Sequence, residues 1–348
     1  MKRLLTISIA ALSLAAAASA LPAGTEAAAQ ATREGRWADA AKLWQTASAR
    51  LPDDADVIAE LGWAEMQSGK AQDARRDFNR ALRLSAGNLR AQTGLVALAL
   101  KGLRLDEALE LALAATRAHP EEAAAFRALG DAHLASSHRS EAESAYRRAV
   151  ALDPSDPAAH ASLANTLLIR NKADEAIKEY RIAVRLLPAN AAYQEGLGRA
   201  DMAGGLYGEA AKSFASAMDL VMRPVPDWDR LDTLSLALID ALGRSGSAVR
   251  SGEDARQDLY EANQTVLKLT DSLAEIPAIR DADPTRDDAM SQRGLAYSLL
   301  GQAAASDSAS LQKNAAPEPA ADAVVFREQA RRAIVAAKAA KGETRIVG

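Results

Sequence analysis

A 34-residue period in alanine governs what this chain can fold into. Stepping by 34 from Ala40 meets Ala74, Ala108, Ala142, Ala176 and Ala210; stepping from Ala47 meets Ala81, Ala115, Ala149, Ala183 and Ala217. Neither series is interrupted. A fixed period of this length means copies of one supersecondary unit, none of which buries its apolar face alone. Other phases agree. Four residues after the first alanine come Trp44, Phe78, Ala112, Tyr146, Tyr180 and Phe214. Upstream sit Leu61, Leu95, Leu129, Leu163 and Leu197, each followed by a small or modest residue: Gly62, Val96, Gly130, Ala164 and Gly198. Units close at Pro52, Pro120, Pro154 and Pro188, with Ala86 and Met222 at the remaining equivalents.

Each unit reads as two short helices and a turn. Between Ala123 and Pro154, Phe126, Leu129, Gly130 and His133 share one face of the first helix, and Ala142, Tyr146 and Ala149 one face of the second. Small residues let antiparallel helices approach where they cross, the aromatic fills the space beside the crossing, and proline stops the second helix. Asp156-Pro157 is the clearest helix start, a capping aspartate followed by proline at the first helical position.

Those residues resemble the tetratricopeptide repeat, with Phe126, Leu129, Gly130, Ala142, Tyr146, Ala149 and Pro154 the best match. The resemblance covers six units over 21–224. It implies an all-α, right-handed α-solenoid of antiparallel hairpins, acting as a non-catalytic scaffold whose first helices line a concave groove for a partner segment. The family's groove positions fall on Trp63, Met66, Arg90, Lys101, Arg127, Asp131, Asn165, Leu168, Glu195, Arg199 and Met202. Such a mixed floor suits an extended or helical peptide with acidic and apolar groups. One subset of the family grips a terminal carboxylate with lysine and asparagine in neighbouring first helices. Here only Asn165 matches, the lysine positions holding Ala59, Thr93 and Arg127.

The ends differ from the array. Met1-Lys2-Arg3, an apolar run to Ala18 and the Ala18-Ser19-Ala20 signature read as a signal peptide over 1–20, cut after Ala20, which places the protein in the periplasm or outside the cell. An uncleaved N-terminal anchor is the alternative. The first unit is degenerate, with Ala27, Ala28 and Ala31 where bulkier residues are expected. Beyond Arg223-Pro224-Val225-Pro226 the strict period is lost. Residues 227–348 read as divergent helical hairpins capping the solenoid, or as a separate bundle. Their helices run from Trp228 to about Gly243, through Ala255 to Leu269, from Asp283-Pro284 to Leu300, and over about Asp322–Lys341. The connections are a Gly/Ser-rich turn over Ser245–Gly252 and a low-complexity loop over 302–321.

Little in the chain points to chemistry. With no cysteine there is neither a disulfide nor a thiolate, and a net charge of −4 with no basic stripe argues against nucleic acid as partner. His133 and His160 occupy positions between neighbouring first helices, but no third ligand follows at a fixed spacing, so neither metal nor cofactor is expected. Acidic pairs such as Glu121-Glu122 fall at helix starts, where they serve the helix dipole. The expectation is therefore a scaffold binding a protein or peptide in a cell-envelope assembly such as secretion, pilus, outer-membrane or export machinery. A homo-oligomeric structural subunit is the alternative.

Overall fold

The computed structural model describes residues 22–222, 225–250, 256–282, 288–312 and 320–343. The signal segment and its Ala20 junction lie outside these residues, as do Arg223-Pro224 and the Asp283-Pro284 helix start. Among the described residues there are seventeen α-helices and no strand. The chain divides into two compact units between Arg170 and Asn171, inside the repeat array.

The first unit holds α1 (Glu26–Arg33), α2 (Trp37–Arg50), α3 (Ala55–Gln67), α4 (Ala71–Leu84), α5 (Leu89–Lys101), α6 (Leu105–Ala118), α7 (Ala123–Ala135), α8 (Arg139–Leu152) and α9 (Pro157–Ile169). Consecutive helices pair, and first helices also touch first helices: α3 on α5, α5 on α7, α7 on α9. Their starts recur with the period. Asp54, Asn88 and Asp156 each accept a backbone N–H of the helix they open, while Glu122 stands at the same phase without such a bond. Asn88 also donates to Asp56 at 2.7 Å, tying one repeat's start to the next.

The turn inside each hairpin passes through the left-handed region at Gly35, Gly69, Leu103, Ser137, Asn171 and Gly205, with φ between +55° and +86°. Leucine is costly there because its Cβ crowds the following carbonyl. Leu103 is also 79% exposed, so its side chain returns nothing in packing. We expect Leu103→Gly to raise stability by about 0.5–1 kcal/mol, the strain removed less the chain entropy that glycine adds to the unfolded state. Urea denaturation checks this; an unchanged or lower midpoint would mean the turn carries no strain.

Packing at the helix crossings follows a volume rule. The Phe78 ring is held between Gly62 and Gly94, where an added Cβ would come within 2.7 Å and 2.4 Å of it. One period later the ring is replaced by Ala112, and the facing positions grow to Val96 and Ala128; all three join one buried cluster. In the degenerate first repeat, Trp44 fills the crossing and its indole N–H donates to Thr32 Oγ1 at 2.9 Å.

The second unit opens with repeat helices α10 (Ala173–Leu186), α11 (Ala191–Ala203) and α12 (Tyr207–Val221). Then follow α13 (Trp228–Arg250), α14 (Arg256–Ala274), the short α15 (Pro277–Arg280), α16 (Ala289–Gln312) and α17 (Ala321–Glu343). One buried cluster runs from Ala210 through Leu238 and Val266 to Ile334, so within this unit the last repeat and the long helices share a core. The expected first hairpin is rearranged: α13 packs chiefly on α12 and α17, and α14 on α12 and α16.

Two connections expected to be irregular are helical. The Gly/Ser turn placed at Ser245–Gly252 is helix as far as Arg250, and the loop placed at 302–321 is helix up to Gln312. Burial overrides weak propensity in both. Ser245 and Ala248 face inward, as do Ala304, Asp307, Ser308 and Leu311 at helical spacing. Among the described residues of this unit, two ion pairs are buried. Arg293 donates to both oxygens of Asp232 at 2.8 and 2.6 Å, with both side chains essentially sealed from solvent, and its guanidinium lies 5.3 Å from the Trp228 ring centre. Arg327 pairs with Asp307, which also accepts the backbone N–H of Ala320 at 3.0 Å.

Candidate partner-binding face

In the first unit the first helices α3, α5, α7 and α9 lie side by side and carry eight of the residues expected in a groove. The structure sorts them. Trp63 and Met66 are buried, at 3% and 2% exposure, so they brace the face from beneath. The Trp63 indole N–H donates to the carbonyl of Arg90 at 2.9 Å, and the Arg90 guanidinium lies 4.3 Å above the same ring. Arg90 is then fixed by a bidentate pair with Glu60, at 2.7 and 3.1 Å. Indole, guanidinium and carboxylate form one stack linking α3 to α5.

Arg127 is also buried, its Nε 3.4 Å from Asp156 Oδ2, which links α7 to the start of α9. Asp131 is half-buried and accepts the Tyr146 hydroxyl at 2.6 Å. Burial, together with the Asp131 charge, pushes the Tyr146 hydroxyl well above its ordinary range. Lys101 is exposed; Asn165 and Leu168 are half-buried on α9. In the second unit, Glu195 pairs with Arg230 at 3.2 Å, Arg199 is exposed, and Met202 packs against the buried cluster.

Glu60, the partner that fixes Arg90, was not among the expected residues. Its signal lay in the repeat phase, where Glu60 and Glu26 are charged while Gly94, Ala128, Ser162 and Gly196 are not. The His133 ring lies 5.8 Å from that of His138, and the His160 Nε2 lies 3.1 Å from the carbonyl of Pro154. Among the described residues, no three His, Cys, Asp or Glu side chains are grouped to hold a metal ion. Nor is any described helix long and apolar enough to cross a membrane.

The sequence profile described as tetratricopeptide repeat matches residues 31–89, 93–157, 127–191 and 161–222, more than half of the chain. The chain belongs to the tetratricopeptide repeat family. Members are generally non-catalytic scaffolds, and their repeats bind protein or peptide partners. No curated protein matches the chain. Among solved structures, the Cut9-Hcn1 hetero-tetramer of APC/C is similar over 72% of this tetratricopeptide chain and 46% of that one, with 17% identity and a TM-score of 0.52. The thermophilic repeat protein TTC0263 of Thermus thermophilus is 19% identical, covering 53% of this chain and 99% of that one at a TM-score of 0.47. PilF of Pseudomonas aeruginosa is 14% identical over 65% of this chain and 92% of that one, with a TM-score of 0.48. At these identities the likeness is one of fold alone.

Two carboxyls sit inside tetratricopeptide hairpins at one repeat phase, Glu65 and Asp201. Burial, reinforced by the neighbouring Asp77, pushes the Glu65 carboxyl up to about 7. Burial pushes Asp201 up to about 6, although Ser213 lies 3.3 Å from it as a donor. A raised carboxyl pKa means that the folded chain keeps a proton which the unfolded chain has released. For Glu65 stability therefore falls as pH rises from 4.5 to about 7, then levels off. Glu65→Gln removes this dependence. We expect the variant to match wild type near pH 5 and to exceed it by about 1–2 kcal/mol at pH 8, allowing for relaxation around the charge. Equal stability of the two at both pH values would show that Glu65 ionises freely.

Proposed function

We propose that this chain is an exported, non-catalytic scaffold that holds a segment of a partner protein along the face of α3, α5, α7 and α9 during assembly of a cell-envelope complex. One observation carries the binding reading. The face is braced from beneath by the Trp63–Arg90–Glu60 stack, while Lys101, Asn165 and Leu168 remain accessible on it, so basic, amide and apolar side chains stand on a rigid support. Export is supported by the basic, apolar and small-residue pattern of residues 1–20.

In-cell crosslinking of the tagged full chain tests the binding reading, comparing wild type with an Asn165→Arg, Leu168→Glu variant of unchanged helicity and melting. Loss of a captured protein in the variant supports the face; identical capture overturns it. Export is tested by N-terminal sequencing of the protein recovered by osmotic shock. A chain starting at Leu21 supports it, and an intact Met1 terminus retained with the cytosol overturns it.

A further inference from the structure

A cavity of about 400 Å³ opens beside this face, where the end of the α3–α4 hairpin meets the end of α5–α6. Its lining includes Met66, Gly69 and Leu98, with three cations: Lys101, Arg75 and Arg104. Arg104 stands at a phase that is also basic at Arg36, Lys70 and Lys172, but the pattern does not require the other two together. At the phase of Lys101 the other repeats carry Arg33, Gln67, Ala135, Ile169 and Ala203, and at the phase of Arg75 they carry Ala41, Leu109, Glu143, Ile177 and Ala211, so no other repeat has a cation at both. Lys101 and Arg75 thus come together at this one junction of the array.

The charges are unevenly used. Glu107 accepts from Arg75 at 2.8 Å and lies 3.1 Å from Arg104, so a single carboxylate holds both guanidiniums. Lys101 meets only neutral acceptors, the Met66 carbonyl at 3.3 Å and the Gln67 side chain at 3.2 Å, and none of the described carboxylates lies within 4.0 Å of it. Burial draws its pKa down, as expected of an ammonium short of a counter-charge. Gly102 leaves room for Arg104, since a Cβ there would come within 3.1 Å of its Nε. The N-terminus of α4, whose N-cap Lys70 supplies no side-chain acceptor, adds its positive end to the same wall.

We propose that this cavity is a subsite for one carboxylate of the partner segment, bound by the Lys101 ammonium with the spare donors of Arg104, beside an aliphatic side chain resting on Met66 and Leu98. The inference deepens the peptide-binding reading above and rests on it for the nature of the ligand. An anion fits because Glu107 cancels only one of the three positive charges and makes no ion pair with Lys101. None of these residues stands at the lysine and asparagine positions of the family's terminal-carboxylate grip.

The carboxylate comes either from an acidic side chain or from a chain end, and two probes separate these sources. Acetyl-Leu-Asp-amide carries only the first and acetyl-Leu-Leu with a free terminus only the second; acetyl-Leu-Asn-amide is the uncharged control. Each is titrated into the ¹⁵N-labelled full chain, following the amides of Gly69, Gln72 and Gly102. Saturable shifts with either acid and none with the control support the subsite, and the more effective acid names the source. Lys101→Met is expected to weaken binding at least tenfold and Lys101→Arg to preserve it. Absence of shifts with both acids, or equal binding by Lys101→Met, overturns the subsite. The capture experiment fails separately: acids that bind here while crosslinked capture ignores the Asn165 and Leu168 changes would sink the face and leave the subsite standing.

Discussion

Phe78→Ala is expected to cost about 3–5 kcal/mol, the range for removing a fully buried aromatic from a packed core. Phe78 has no measurable exposure, and the hole it leaves faces two glycines that cannot fill it. The chain supplies its own repair. One period along, Ala112 is accompanied by Val96 where the Phe78 repeat has Gly62. We therefore expect Gly62→Val alone to destabilise by about 1–3 kcal/mol, because the new side chain runs into the ring. In the Phe78→Ala background the same change should recover about half or more of the loss, a strongly non-additive cycle. Urea denaturation of the four proteins measures it. Additive costs would mean that ring and glycine do not share the space.

Asp232→Ala is the second large effect. It removes the carboxylate that takes two donors of Arg293 and leaves a guanidinium sealed in the α13–α16 region with only the Trp228 ring and the weakly accepting Met290 sulfur beside it. Breaking one partner of a buried pair costs about 3–5 kcal/mol, mostly the penalty of the stranded charge. Replacing both by apolar residues of similar volume, Asp232→Leu with Arg293→Met, should be far milder, within about 1–2 kcal/mol of wild type. If the single change proved as mild as the double, water must reach Arg293.

The repeat array was legible because packing at each crossing repeats with its phase. Alanine at 142 and 149 and an aromatic at 146 have one geometric reason, met in every repeat hairpin but the one where Ala112 takes the aromatic's place. The face was legible only in position. Phase gave the direction of the Trp63 side chain along α3 but not its depth, because Arg90, 27 residues on, closes over it. A contact of that kind depends on the partner repeat, which the period averages away. The C-terminal helices misled for a related reason. Ala-Ala-Ala-Ser-Asp-Ser-Ala-Ser has the composition of a linker, yet Ala304, Asp307 and Leu311 form a buried stripe on α16. What separates helix from linker there is one aspartate whose partner, Arg327, lies 20 residues away.

That aspartate has a consequence for how α16 and α17 find each other. The buried positions of both helices are rich in alanine, Ala303 and Ala304 on α16 and Ala323, Ala330 and Ala337 on α17, and such smooth surfaces look nearly the same after sliding by one turn, about 5.4 Å. Asp307 breaks the degeneracy. It holds the amide of Ala320 at the threshold of α17 and the guanidinium of Arg327 two turns further in, so a slip of one turn strands an acid and a base together in an apolar layer. Hydrophobic contact makes the two helices adhere; this single polar bolt sets their alignment, as a keyway fixes a shaft that friction alone would let turn.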